Sequence, residues 1–106
     1  MKTKLIVTAI FLASIYISCS PEEELSYTAD IEPLLTSCAS PYCHGTANYA
    51  GTITNYQDFV DMVDRDRVLP ALRHEEGYSA MPKADDKWPS EDISLLEDWI
   101  SQGMPE

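Results

Sequence analysis

The sequence predicts an all-α fold of about three to five short helices. Apolar residues recur at helical spacing in several segments, and no segment alternates apolar with polar residues as a half-buried β-strand does. Apolar residues make up 44% of the 106-residue chain, which is enough for one packed core and leaves little room for a second domain. We therefore expect one small helical domain.

The first predicted helix lies near the start of this domain. Four residues fall on one of its faces, at positions i, i+3, i+4 and i+7: Ile31, Leu34, Leu35 and Cys38. Pro33 has no N–H, so it is tolerated in the first turn, whose N–H groups have no helical partner. The helix is therefore expected to begin near residues 28–30, where Thr28 and Asp30 are acceptable caps.

The middle of the chain combines a long loop with short helices. Residues 39–55 contain prolines, glycines and asparagines without periodicity, which predicts a loop. Apolar spacing predicts a short helix over residues 56–63. Residues 67–73 are expected to add another turn, interrupted at Pro70.

The last segment has the clearest helical pattern. Its apolar stripe has five members: Ile93, Leu95, Leu96, Trp99 and Ile100. Residues 89–92 supply a cap and early negative charge, and Gly103 followed by Pro105 ends the helix. Six aromatic residues are interpreted as packing residues: Tyr42, Tyr49, Tyr56, Tyr78, Trp88 and Trp99.

Residues 1–18 have the features of an export signal. Lys2 and Lys4 precede an uncharged run of thirteen residues, whereas a transmembrane helix needs about 20 apolar residues. Ser18-Cys19 resembles the processing site of bacterial lipoproteins, where Cys19 would become the lipidated first residue. The alternative is an ordinary secretory signal with an incidental cysteine.

The lipoprotein interpretation divides the chain into three parts. Residues 1–18 would be the signal peptide, residues 19–26 the lipidated cysteine with an acidic tether, and residues 27–106 the domain. We then expect an extracytoplasmic protein, anchored by lipid to a bacterial membrane. The acids that follow Cys19 resemble the surface-export signals of some Gram-negative lipoproteins, and the alternative is a soluble linker. We expect the outer membrane, on its periplasmic or surface face.

The chain is strongly acidic, with 18 Asp and Glu against 7 Lys and Arg and a net charge of −11. Removal of residues 1–18 would take away two lysines and no acid, so the mature net charge would be −13. Because nucleic acids and anionic lipid headgroups are bound by basic surfaces, this charge argues against both as partners.

Two cysteines and a histidine carry the chemistry of the domain. Cys38 and Cys43 are separated by four residues, and His44 follows Cys43 directly. In the C-x-x-C-H motif the thiols form thioethers with the porphyrin, and the adjacent histidine reaches the iron. The longer spacing here is compatible with this chemistry if the extra residues bulge away from the ring. The alternative is a structural disulfide between Cys38 and Cys43.

The domain resembles the c-type cytochromes, in particular a lipoprotein-associated group with a C-x4-C-H loop. The resemblance spans about residues 27–104. It rests on four features, namely the apolar helix before Cys38, the Cys43-His44-Gly45 step, residues 73–83 with Met81-Pro82, and Trp99 followed by Gly103. It implies one haem c attached covalently through Cys38 and Cys43. His44 would be the proximal iron ligand and Met81 the distal one, with the N- and C-terminal helices packed across each other beside the haem.

The distal position has two other interpretations. His74 is a rival ligand, because its imidazole would give bis-histidine iron at a lower potential. Met81 would then be an ordinary core methionine.

The resemblance implies one-electron transfer and not enzymatic catalysis. If His44 and Met81 both bind, the iron has no vacant position, and no small-molecule substrate is expected. The acidic surface would suit a redox partner with a basic docking patch. Two alternatives stay open. One is a haem peroxidase or gas sensor with a displaceable distal ligand, and the other is a haem-free lipoprotein binding module with a Cys38–Cys43 disulfide.

Overall fold

The computed structural model describes residues 22–46, 51–83 and 85–106. Over these ranges the chain is helical and forms no β-strand, which confirms the all-α prediction. A π-helical turn at Tyr27–Ile31 leads into α1 (Glu32–Leu35), and three helices follow: α2 (Tyr56–Val63), α3 (Val68–Leu72) and α4 (Ser90–Ser101). The expected signal peptide and Cys19 lie outside the described residues. Within those residues, no helix is both long and apolar enough to cross a bilayer.

The first helix begins earlier than the sequence predicts, at Tyr27. Ser26 is its cap, because the Ser26 Oγ accepts from the Ala29 N–H at 3.2 Å. The Ser26 N–H donates in turn to the Asp30 carboxylate at 2.8 Å, so Asp30 is the partner of the cap and not the cap itself. Pro33 lies in the first turn of α1, where the missing N–H costs little.

The second helix has the predicted span, and the third does not break at its proline. Asn55 caps α2 by accepting from the Asp58 N–H at 3.0 Å. α3 runs from Val68 to Leu72 through Pro70, so the predicted interruption is wrong. Pro70 lies in the first turn of α3, where the N–H groups have no helical partner and the missing donor costs little.

The last helix ends in a Schellman motif. Gly103 adopts a φ of 90°, its N–H donates to the Ile100 carbonyl, and the Met104 N–H donates to the Trp99 carbonyl, each at 3.0 Å. Gly103 therefore ends the helix as predicted. At the start, the cap residue is Pro89, within the predicted range, and it makes no side-chain hydrogen bond to the helix. The two acidic residues of the first turn still complement the helix dipole.

The core joins the N-terminal helix to α2, α3 and α4. Its buried cluster has nine members: Tyr27, Ile31, Leu35, Ile53, Phe59, Val63, Leu72, Leu96 and Trp99. Phe59 stacks on Trp99 with ring centroids 5.9 Å apart, and Tyr27 lies 6.1 Å from Trp99. These aromatic contacts hold the first helix, α2 and α4 together.

The expected packing aromatics divide into two groups. Trp99 is buried, and Tyr56 and Trp88 are half-buried against the core. Tyr42 is 99% exposed and Tyr78 is 45% exposed, so the packing role is wrong for these two, whose loops carry them away from the core. The remaining one, Tyr49, lies outside the described residues.

The segment before the first helix is attached to the end of α4. The Gln102 side chain accepts from the Leu25 N–H at 2.8 Å and donates to the Glu23 carbonyl at 3.1 Å. The Pro105 carbonyl accepts from the Tyr27 N–H at 3.0 Å. Part of the stretch expected as a tether thus belongs to the folded domain.

Candidate haem-attachment site

Cys38 lies three residues beyond α1 and still faces the core. α1 ends at Leu35, and the Cys38 N–H donates to the Leu35 carbonyl at 2.9 Å in the turn that follows. The Cys38 side chain is half-buried and packs against the core cluster. The apolar spacing therefore placed Cys38 on the correct side, although the helix itself stops earlier.

The loop between the cysteines closes on itself. The His44 N–H donates to the Cys38 carbonyl at 2.9 Å, and the Cys43 N–H donates to the Ser40 carbonyl at 3.0 Å. These bonds bring His44 back to Cys38 in spite of the four residues between the cysteines. Cys38, Cys43 and His44 consequently belong to one compact loop.

Gly45 is required by the closeness of this loop. Its N–H donates to the Ser40 carbonyl at 2.8 Å. A Cβ at this position would lie 2.2 Å from the Ala39 carbonyl oxygen and 2.7 Å from the backbone of Ser40. Because no real Cβ contact is that short, a side chain at residue 45 would force the loop open.

The ring of His44 is oriented by a backbone carbonyl. Its Nδ1 lies 2.8 Å from the carbonyl oxygen of Gly51, and a carbonyl can only accept, so Nδ1 carries the proton. The main chain is held too, since the Ile53 N–H donates to the His44 carbonyl at 2.7 Å. In the neutral imidazole Nε2 then keeps the lone pair that a histidine needs to bind a metal ion.

Both cysteines of the loop are thiols, and their surroundings differ. Burial raises the pKa of the Cys38 thiol, a hydrogen bond with Ser37 partly opposes this, and the nearby Cys43 raises it further. Cys43 is exposed. Cys38 is therefore the less reactive of the two as a nucleophile at neutral pH.

Met81 lies in the loop after α3 and is held by that helix. Its side chain is half-buried and packs against the same core cluster as Cys38. The Met81 N–H donates to the Ala71 carbonyl at 3.0 Å, and the Met81–Pro82 peptide is cis. The backbone at Met81 is thus tied to α3.

His74 bonds to the same loop and not to the core. Its Nε2 lies 3.1 Å from the Met81 carbonyl oxygen, so Nε2 carries the proton and donates it. His74 is exposed, with a left-handed φ of 54°. To bind iron through Nε2, His74 would have to release Met81.

An ion pair joins the start of this loop to the last helix. Arg73 pairs with Glu97 of α4 and, at 3.6 Å, with Glu75. These side chains are more than a third exposed, so the pairs contribute little stability and mainly restrict where the loop begins.

The residue types present are those that hold a haem c. The loop supplies two thiols and an imidazole whose metal-binding nitrogen has its lone pair, and Met81 supplies a thioether from a separate segment. Two surface cavities of the described residues, one beside Gln102 and one beside Asp58, are lined by other residues. Within the described ranges, no group of three His, Cys, Asp or Glu side chains is placed to hold a metal ion by itself.

Sequence reasoning missed the backbone groups that hold the candidate ligands. Gly51 orients His44 through a carbonyl oxygen, and Ala71 holds Met81 in the same way. Every residue has a carbonyl, so neither partner has a sequence signal of its own.

Comparison of the chain with protein-family models, with curated proteins and with solved structures finds no match.

Proposed function

We propose that the protein is a mono-haem c-type cytochrome that carries single electrons. The observation that supports this best is the loop that combines Cys38 and Cys43 with His44, whose Nδ1 donates to Gly51 and whose Nε2 is available for iron. An orienting hydrogen bond on the second ring nitrogen is the usual companion of a metal-binding histidine.

The cofactor would supply a one-electron ferric/ferrous couple. Cys38 and Cys43 would hold it covalently, and His44 and Met81 would occupy both axial positions. With both positions filled by the protein, no site is left for a substrate, so we assign the chain as an electron carrier and not as an enzyme. A methionine ligand raises the potential relative to a second histidine.

Met81 is the better distal ligand for two reasons. Its side chain is half-buried against the core, whereas His74 is exposed. The Nε2 proton of His74 is also engaged by the Met81 carbonyl. Binding of iron by His74 would break that hydrogen bond and would require the imidazole to move from the surface toward the core.

The partner and the anchor follow from charge and from Cys19. A chain with a net charge of −11 favours a redox partner with a basic docking patch, and the encounter should weaken as salt is added. Lipidation at Cys19 would confine the search to a bacterial membrane, facing the extracytoplasmic side.

The test is to produce the protein with the cytochrome c maturation machinery and to analyse it by denaturing gel and by spectroscopy. We expect haem that stays with the chain on the gel, a sharp reduced α-band and a weak far-red ferric band from methionine ligation. A Cys38→Ser, Cys43→Ser double variant is the control and should carry no haem. High-spin spectra would favour the peroxidase or sensor, and a haem-free chain with a Cys38–Cys43 disulfide would overturn the proposal.

A further inference from the structure

Residues 51–54 connect the candidate iron ligand His44 to the first turn of α2. On one side, Gly51 accepts from the His44 Nδ1 and the Ile53 N–H donates to the His44 carbonyl. On the other side, Asp58 of α2 accepts hydrogen bonds from residues of this same segment. The segment therefore lies between a histidine and a carboxylate that have no contact with each other in this hydrogen-bond network.

One oxygen of Asp58 accepts three hydrogen bonds from this segment. The donors are the Thr54 Oγ1 at 2.6 Å, the Thr54 N–H at 3.0 Å and the Thr52 Oγ1 at 3.3 Å. The hydrogen bonds from Thr54 lower the pKa of Asp58 and outweigh the opposing effect of desolvation, so the carboxylate is charged at neutral pH. Hydrogen bonds to a charged acceptor are stronger than those between neutral groups, so Asp58 holds Thr52 and Thr54 firmly.

Helix capping does not account for these bonds. In a capping box the residue at the third helical position bonds to the N–H of the cap residue, which here is Asn55. The Asp58 carboxylate bonds instead to Thr54 and Thr52, which precede the cap. Asn55 satisfies the Asp58 N–H without help from that carboxylate.

Gly51 adopts a backbone conformation that suits glycine and disfavours a side chain. Its φ is 97°, in the left-handed region that favours glycine. A Cβ at this position would lie 3.1 Å from the Cε of Met62 in α2. A side chain at residue 51 would thus be strained by this φ and crowded by Met62, and Asp58 holds the residues that follow.

We propose that Asp58 is a positioning residue for His44. Asp58 holds residues 51–54 in place, so that the Gly51 carbonyl continues to accept the hydrogen bond from the His44 Nδ1. This inference rests on the proposed function, since it assigns the support of the iron ligand. Because a hydrogen bond to Nδ1 makes the imidazole a more basic ligand, it favours ferric iron. Loss of the hydrogen bonds to Asp58 should therefore raise the reduction potential of the haem.

The test compares two variants of the haem-loaded protein with wild type. Asp58→Ala removes all three acceptor bonds, and Thr54→Val removes the shortest of them without changing a charge. We expect exchange of the His44 Nδ1 proton, followed by NMR of the reduced protein, to become roughly tenfold faster in Asp58→Ala. The reduction potential should rise in both variants, more in Asp58→Ala.

Two matched controls separate positioning from charge and from stability. Asp61→Ala removes the same charge from the same helix, but Asp61 accepts from Gln57 and not from residues 51–54. Asn55→Ala removes the cap of α2 and leaves the Asp58 carboxylate in place. The inference would be overturned if Asp61→Ala raised the reduction potential as much as Asp58→Ala does. It would also be overturned if Asn55→Ala, at the same loss of stability, raised the potential as much as Asp58→Ala.

The failure of the inference differs from the failure of the proposed function. If wild type carries no covalent haem, the proposed function fails. The Nδ1–H tautomer of His44 can then be measured from 15N chemical shifts in the haem-free chain. If the wild-type chain holds the Nδ1–H tautomer and Asp58→Ala lowers its population, the positioning role of Asp58 is still supported. An unchanged population of that tautomer would overturn the positioning role.

Discussion

His74 donates its Nε2 proton to the backbone carbonyl oxygen of Met81, and the two atoms lie 3.1 Å apart. The Met81 N–H donates at the same time to the Ala71 carbonyl of α3. The two candidate distal ligands are therefore joined by a hydrogen bond, through which His74 supports the backbone of Met81. This relationship favours Met81 as the ligand and His74 as its support.

The first prediction concerns this pair. We expect Met81→Ala to lose the far-red ferric band, because the band reports methionine on the iron. His74→Ala should keep the band, but its affinity for added imidazole should be roughly tenfold higher. The reason is that the Met81 loop loses the hydrogen bond from His74. Spectroscopic titration with imidazole measures both effects.

His74→Gln is the control for the pair, because its amide N–H can donate to the same carbonyl and should restore much of the resistance to imidazole. The assignment would be reversed if His74→Ala lost the band or the low-spin spectrum while Met81→Ala kept the wild-type spectrum.

The second prediction concerns the closeness of the cysteine loop at Gly45. Gly45→Ala places a Cβ 2.2 Å from the Ala39 carbonyl oxygen, so the loop must open and haem attachment should fall to a small fraction of wild type. Haem stain per unit of protein is the measurement. Gly77→Ala is the matched control, since its φ of 90° carries strain of about 1–2 kcal/mol but nothing lies within 4 Å of the new Cβ. Equal haem content in the two variants would contradict the prediction.

The third prediction concerns the core. Ile31 is fully buried in the cluster that joins the first helix to α2 and α4, so Ile31→Ala should lower the free energy of unfolding by about 2–5 kcal/mol. Urea denaturation followed by circular dichroism measures the loss. Leu34→Ala, at a half-buried position outside the cluster, should cost clearly less. Similar losses at the two positions would show that the first helix packs on a different face.

The fourth prediction concerns pH and the Cys38 thiol of the haem-free chain. Because burial raises the pKa of Cys38 in the fold, the folded state holds this proton more tightly than the unfolded chain. The resulting stability is fully present below the unfolded pKa of the thiol and is lost as pH rises through the folded pKa. Denaturant midpoints should therefore be level up to about pH 8 and fall as pH rises above the unfolded thiol value of about 8.5.

Cys38→Ser should remove this alkaline loss, and Cys43→Ser should keep most of it, because burial is the largest cause of the raised Cys38 pKa and Cys43 is a smaller one. The pKa of Tyr27 is also raised, by burial and by Glu32 and Asp58, but a tyrosine titrates at higher pH than a thiol. A slope that survives in Cys38→Ser would assign the alkaline loss to another group.

The helices with strong local signals could be predicted. The α2 span of residues 56–63 follows from apolar spacing, and the α4 end follows from Gly103, whose left-handed backbone stops a helix. Two errors came from contacts that periodicity does not report. The Ser26–Asp30 pair moved the first helix to an earlier start, and the first-turn position of Pro70 let α3 continue.

Residue type and spacing indicated Cys38, Cys43 and His44 as candidate ligands, since thiol and imidazole chemistry belongs to the side chains themselves. The choice of Met81 came from the resemblance to c-type cytochromes. Their supports could not be predicted. Gly51 and Ala71 act through backbone carbonyls that every residue possesses, and Asp58 reaches His44 through a segment of the chain. Which carbonyl meets which ligand depends on how the loops pass one another in the folded chain, and that path follows from the packing of the helices around Trp99 and Phe59.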